Sequence, residues 1–311
     1  MQHASNALAV GQGLYEATKS GFCVRTMSGD IQRVAIVGRH DDSHVAELMS
    51  LLVQHLTKAG IEVLATDEKS PDLMIAVGGD GTMLYAGNLA RESGVPLLGV
   101  NRGRLGFLAD VSPDDMLTSV DHILKGNYTC ESRSLLEATL SRADGDPVTA
   151  TAFNDVVLQR RATGRMVDVV ASVDGEYVNT HSGDWLIVAT PTGSTAYALS
   201  CGGPIVEPSL DAMVVVPVCS HTLTDRPIVI PASKTIEIRV LERADTFAEV
   251  TVDGHAIGDV SPDDVLTVTW STHCIQLIHP PGYNFFSILR SKLYWGRDSR
   301  NRDDGANIDA G

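Results

Sequence analysis

The sequence predicts a parallel-sheet α/β domain on the amino-terminal side and an all-β, sandwich-like domain after it. Three observations carry this. Between residues 31 and 126, short apolar runs alternate with segments of helical period, as strands and helices do in parallel α/β units. From about residue 127, β-branched and apolar runs follow one another, separated by turn signals and with few helical patterns between them. Gly126 closes the last helical pattern of the first part and marks the change.

Residues 1–30 are weakly patterned and read as a mobile arm. Residues 34–37 form the first strand, and Asp41 or Asp42 then caps a helix with Val45, Leu48, Met49, Leu52 and Leu56 on one face. Gly60 ends it. Residues 61–65 and 73–77 read as the second and third strands. Gly78-Gly79-Asp80-Gly81-Thr82 follows, then a helical pattern to Gly94, a strand at 96–100, and a second glycine-broken loop, Asn101-Arg102-Gly103-Arg104-Leu105-Gly106-Phe107. Ser112-Pro113-Asp114-Asp115 starts another helix, with Ser at the cap and Pro at the first position. The first domain therefore spans 31–126 and the β-rich domain 127–282. In the latter, strands are expected at 135–140, 156–158, 167–173, 185–189, 213–218, 228–230, 236–241, 248–252 and 265–270. Asp174-Gly175 is a strong hairpin signal. A helix at 283–296 is expected to pack back on the first domain, and 297–311 reads as a disordered polar tail.

Composition narrows the function. A net charge of −15 argues against a nucleic-acid surface and against anionic membranes. A polyanionic substrate then needs local help from a metal ion, arginines or backbone N–H groups. The five cysteines are scattered and lack CxxC spacing, which argues against a disulfide framework or a zinc site and fits a reducing cytoplasm. No apolar run is long enough to span a bilayer, and no basic region followed by an apolar stretch suggests secretion.

The chemistry gathers at the two glycine loops. Three glycines around one carboxylate, between a strand and a helix, let the backbone approach a ligand and aim N–H groups at an anion. Asp80 is a negative charge where phosphates are bound, which is unfavourable unless it holds a cation or takes a proton. Taken alone, GGDG is equally a tight turn with Asp80 capping the helix. The second loop also leaves the C-terminal end of a strand, where ligands collect in open α/β sheets. Neither GxGxxG nor GxxxxGK[ST] occurs. Two stretches of the second domain stand out as well. Asn154-Asp155 precedes a strand, and Thr190-Pro191-Thr192-Gly193-Ser194-Thr195 follows an apolar one, either as a turn capping a helix near Thr195 or as a ligand cradle.

GGDGTML and GVNRGRLGFLAD resemble the two amino-terminal signatures of the NAD kinase family. Asn154-Asp155, the stretch from Gly183 to Tyr197, Ser220 to Pro227 and Val252-Asp253-Gly254-His255 resemble its later motifs, in the same order, over roughly residues 32–295. The resemblance implies a Rossmann-like or phosphofructokinase-like first domain. It also implies transfer of a terminal phosphoryl group to the 2′-hydroxyl of the adenosine ribose of NAD, giving NADP. Asp80 would be the catalytic base, and Gly79, Gly81, Arg102 and Phe107 would lie at the two loops. Asn154 and Asp155 would bind the riboses, with Asp where the family has Glu. Asp184, Thr195, Ala196, Tyr197 and Ser200 would surround the adenosine and nicotinamide ends, and Trp185 replaces a family Gly. His255 stands where many relatives have Gln, and Arg165 falls near the substrate. Magnesium or another divalent cation is the implied counter-ion, ATP or polyphosphate the donor, and a homodimer or homotetramer the assembly. A lipid kinase, a sugar-phosphate kinase and a non-catalytic NAD sensor are the competing readings. An intact Asp80 speaks against the last.

Overall fold

The computed structural model describes residues 31–65, 70–103, 105–160, 167–219, 224–241 and 248–295, together with the backbone of β1 (Phe22–Cys23). Arg165, the 220–223 segment, most of the expected arm and the expected tail lie outside them.

β2 (Arg33–Gly38) leads to α1 (Ser43–Lys58), which is capped by Asp42 through the N–H groups of His44 and Val45. β3 (Glu62–Leu64), β4 (Leu73–Val77), α2 (Asp80–Ser93), β5 (Leu97–Val100) and α3 (Met116–Leu124) follow. β2, β3, β4 and β5 pair in parallel. Every residue of β4 and β5 is buried, because helices cover both faces: α1 and α3 on one side, α2 on the other. α3 begins later than its sequence signal suggests. The Ser112 hydroxyl accepts the Asp115 N–H at 3.1 Å, but it caps a turn that precedes the α-helix proper.

The second part contains β6 (Thr129–Ser141), β7 (Val148–Ala152), β8 (Asp155–Arg160), β9 (Val167–Val173), β10 (Glu176–Gly183) and β11 (Trp185–Ala189). A 3₁₀ turn (Gly193–Thr195) and the four-residue α4 (Tyr197–Ser200) come next. β12 (Ala212–Val218), β13 (Ile228–Pro231), β14 (Ile236–Val240), β15 (Ala248–Val252), β16 (His255–Val260), β17 (Val265–His279) and α5 (Phe285–Leu293) follow among the described residues. One sheet runs β13-β12-β11-β8-β15-β16, antiparallel throughout. It packs on the larger sheet over a core that includes Leu136, Leu140, Val156, Val188, Val250 and Leu266.

The larger sheet passes without a break from one half of the molecule to the other. β17 is antiparallel to β14 and β6, then parallel to β5 through Leu277 and Ile278. The fold is thus a mostly parallel α/β domain joined to an antiparallel β domain. β6 and β17 run far beyond the 135–140 and 265–270 segments legible in the sequence. Their extensions carry Glu131, Arg133 and His279, charged or titratable residues that are buried and break the apolar pattern.

Candidate functional site

Asp80 stands at the first position of α2, behind Gly79 at the cap. Its carboxylate faces the second glycine loop, accepting the N–H of Leu108 at 3.2 Å and a longer bond from Phe107 at 3.4 Å. Gly106 makes this possible, since a Cβ there would overlap Asp80 Oδ1. Gly78 is equally constrained, because a Cβ would collide with Thr82. The carboxylate therefore spends part of its acceptor capacity on a backbone clamp. The residue remains partly exposed, and Gly81 beside it is exposed.

In the second half, three segments are tied around Asp155. The Asp253 carboxylate accepts the N–H groups of Phe153 (2.7 Å), Asn154 (2.8 Å) and Asp155 (3.1 Å). The Asn154 carbonyl accepts the Thr190 N–H at 2.9 Å, and the Thr190 hydroxyl donates to the Phe153 carbonyl at 2.7 Å. Gly193 lies flat on Asn154, where any Cβ would overlap the Asn154 carbonyl. Asp155 is 6% exposed, and its side chain makes no hydrogen bond with the described residues. Burial first, and then the charge of Asp253, push its carboxyl up to about 7. Burial, its largest influence, also raises Asp253, against the pull of its three N–H donors. Tyr197, raised to about 12 chiefly by burial, stands in the same neighbourhood, with its ring 5.4 Å from that of Trp185.

The two halves meet through Phe153. Its ring packs against α2, within 3.1 Å of where a Cβ would stand on Gly87. Gly87 is two helical turns, about 10 Å, from Asp80. The second-half cluster is thus fastened to the same helix whose N-terminus carries the Asp80 clamp.

Known proteins resemble this chain over most of its length. The ATP-NAD kinase N-terminal domain family matches residues 62–128, and the ATP-NAD kinase C-terminal domain family matches residues 153–280. The NAD kinase of Aromatoleum aromaticum is 40% identical over 294 residues, covering 88% of this chain and 97% of that one. The chain belongs to the NAD kinase family. The NAD kinase of Thiobacillus denitrificans is 44% identical over 234 residues, 75% of this chain and 79% of that one. Among solved structures, an NAD kinase from Archaeoglobus fulgidus in complex with ATP aligns with a TM-score of 0.68 at 27% identity, covering 85% of this chain and 99% of that one. Yeast NADH kinase complexed with NADH shares the fold, with a TM-score of 0.83 at 24% identity, covering 93% and 95%.

The residues that the NAD kinase resemblance singles out fall into groups. Asn154, Asp155, Thr195, Ala196 and Tyr197 come together at the second-half cluster, and exposed His255 borders it next to the Asp253-Gly254 turn. Gly79, Asp80, Gly81 and Phe107 form the first-half clamp; the Phe107 ring lies 5.4 Å from Lys292 Nζ. Arg102 points elsewhere. It is bound to Asp42 Oδ2, the α1 cap, at 2.9 Å and is exposed. Asp184 lies at the far end of β11 from Thr190, roughly 20 Å along the strand, paired with Arg160 at 3.1 Å. Ser200 is exposed at the end of α4. The helix expected near Thr195 needs correction. Only a 3₁₀ turn and the four residues of α4 form there, too short to present a helix N-terminus to an anion. Sequence reasoning missed Asp253 as an organising residue, although Asp-Gly between two β runs is a hairpin signal. It also missed Thr190 and Gly193 as fasteners of Asn154.

Proposed function

We infer that this protein is a phosphotransferase that phosphorylates NAD at the 2′-hydroxyl of its adenosine ribose to give NADP, with ATP as donor. The observation that supports it most is the Asp80 clamp: one carboxylate among glycines at a helix start, aimed by the N–H groups of the second loop. Phosphoryl transfer asks mainly for positioning and charge stabilisation. Gly78, Gly79 and Gly81 supply a backbone that phosphates can approach. Asp80, with acceptor capacity left over, orients the acceptor hydroxyl and takes its proton as the bond to phosphorus forms. An alcohol is too weak an acid to give up its proton to a carboxylate in advance, so the transfer is late. Asn154 and Asp155 receive ribose hydroxyls, and Thr195 to Tyr197 shape the surrounding wall.

Among the described residues, no group of three His, Cys, Asp or Glu side chains is arranged to hold a metal. Magnesium does not need one, since it binds through one or two carboxylates together with substrate phosphates. Asp80 fits that role, and the ion would neutralise charge on the transferring phosphoryl group. No disulfide joins Cys130, Cys201, Cys219 or Cys274, and no described helix is long and apolar enough to cross a membrane; a cytoplasmic location is part of the proposal. A homodimer or homotetramer is part of the proposal. Val229 on edge strand β13 and Tyr177 on edge strand β10 are exposed apolar residues available to a second copy.

The deciding experiment is Asp80→Asn, assayed for NADP formation beside NAD affinity. Turnover should fall about 10²–10⁴-fold while NAD still binds. Full activity in this variant would remove Asp80 as the base and restore the reading of a plain helix cap.

A further inference from the structure

A buried chain of charged groups runs between the two halves of the site. Asp110 closes the loop whose Phe107 and Leu108 hold Asp80, and its Oδ2 lies 2.8 Å from His279 Nδ1 on β17. His279 Nε2 is 3.3 Å from Glu131 Oε2 on β6. That same oxygen accepts Arg133 Nη2 at 2.8 Å. Arg133 Nη1 then reaches Thr192 Oγ1, in the 190–194 turn, at 3.4 Å. Tyr283 fastens the middle: its ring stacks on His279 at 3.6 Å, and its hydroxyl accepts from Arg133 at 3.1 Å. Glu131, Arg133 and His279 are at most 3% exposed. Although burial disfavours its charge, the Asp110 and Glu131 carboxylates hold His279 above its ordinary pKa.

Stability does not account for this arrangement. Buried ion pairs are often matched or bettered by apolar residues of equal volume. This chain is also incompletely satisfied: Arg133 Nε and Asp110 Oδ1 have no hydrogen-bond partner among the described residues, and His279 Nε2 meets Glu131 only as a charge contact, without hydrogen-bond geometry. What directional charged bonds supply is a fixed geometry, and here they fix one glycine loop against the hydroxyl-rich turn. We propose that Arg133 is a positioning residue for phosphoryl transfer, anchoring a buried bridge that sets the Asp80 loop against the turn that receives the acceptor. The proposal rests on the kinase reading above. Its chemical basis is that a misplacement of about 1 Å can cost 10²-fold in rate while leaving binding at either side intact.

The test uses Glu131→Gln/Arg133→Met, which removes one charge of each sign and leaves Asp110 with His279. Expected are a kcat lower by about 10²-fold, an NAD dissociation constant within about twofold of wild type, and a cooperative melt. Arg133→Lys keeps the charge but not the fork that reaches Glu131 and Thr192 together, so it should recover only part of kcat. If the double variant does not fold, Thr192→Val keeps every charge and should lower kcat about tenfold at unchanged NAD affinity. A folded double variant, or failing that Thr192→Val, with kcat within twofold of wild type overturns the proposal. So does a loss of NAD affinity equal to the loss in kcat/KM. A wild-type protein that makes no NADP from NAD and ATP would remove the kinase reading itself, and this one with it.

Discussion

The β9–β10 and β15–β16 hairpins turn on the same dipeptide. Asp174-Gly175 has φ values of +50° and +80°, and Asp253-Gly254 has +47° and +80°, the two left-handed residues of a type I′ turn. The backbones match, yet the aspartates differ in what they do. Asp174 sits in the open, accepting the Thr235 N–H at 2.9 Å and pairing with Lys234 at 2.6 Å. Those partners hold its carboxyl below the usual range, the Lys234 bond most of all. Asp253 hangs over the start of β8 and receives three consecutive N–H groups there. The difference lies in what is beneath each turn. Under Asp174 lies the start of β14, which offers it one backbone N–H and an exposed lysine, whereas under Asp253 lies the start of β8, which offers three consecutive N–H groups. A turn motif therefore states where the chain reverses, while the neighbouring strand decides whether its side chain organises a site.

Replacing each aspartate by Ala puts the contrast to experiment, because the left-handed backbone penalty is common to both. Asp253→Ala strands three backbone donors and should lower unfolding free energy by about 3–5 kcal/mol, read by urea denaturation, with NAD binding lost alongside. A cost no larger than that of Asp174→Ala would erase the distinction. The next effect is on pH dependence. Folded Asp155 keeps its proton up to about pH 7, whereas the unfolded chain releases it near the ordinary value of 3.8. Between those values the unfolded state binds fewer protons, so stability falls as pH rises, by at most about 4 kcal/mol. Asp155→Asn should flatten the profile and be more stable than wild type at pH 8. A wild-type profile flat from pH 5 to 8 would show that burial and Asp253 do not raise Asp155. Smaller again, at pH 8, where its carboxyl is ionised, Asp155→Ala should weaken NAD binding by roughly 1.5–3 kcal/mol in calorimetry; an unchanged dissociation constant would show that this carboxylate meets no ribose hydroxyl. Asp174→Ala comes last, with a melting temperature lowered by no more than about 4 °C and NADP formation unchanged.

Much of the architecture is legible in the sequence because local signals and tertiary structure agree. The α1 face, the fully buried β4 and β5, and the Asp174-Gly175 hairpin each follow from periodicity or turn chemistry. The legible part of the site is its glycine loops, where backbone freedom leaves a compositional trace. What could not be read is side-chain partnership across long separations. Nothing in the residues around Asp253 announces that it will serve Phe153, and Arg133 and Glu131 look like solvent-facing residues of a strand until β17 lies against them. The extra length of β6 and β17 was hidden for the same reason, since their buried charges mimic the end of an apolar run. The role of α4 was misjudged because a hydroxyl-rich turn resembles a helix cap whether or not a long helix follows.

The place of β17 bears on how the chain is made. β5 finds its second parallel neighbour only in Leu277 and Ile278, far downstream of Leu97 and Leu98. At synthesis rates of about 5–20 residues per second, roughly 10–35 s separate the two on the ribosome. Through that interval a fully apolar strand has one unpaired edge, the kind of surface that recruits other nascent chains. The strand that welds the halves together is thus among the last to arrive. Folding of the amino-terminal sheet must wait for nearly the whole polypeptide, which makes this topology slow, dependent on distant contacts and exposed to aggregation until its final strand is in place.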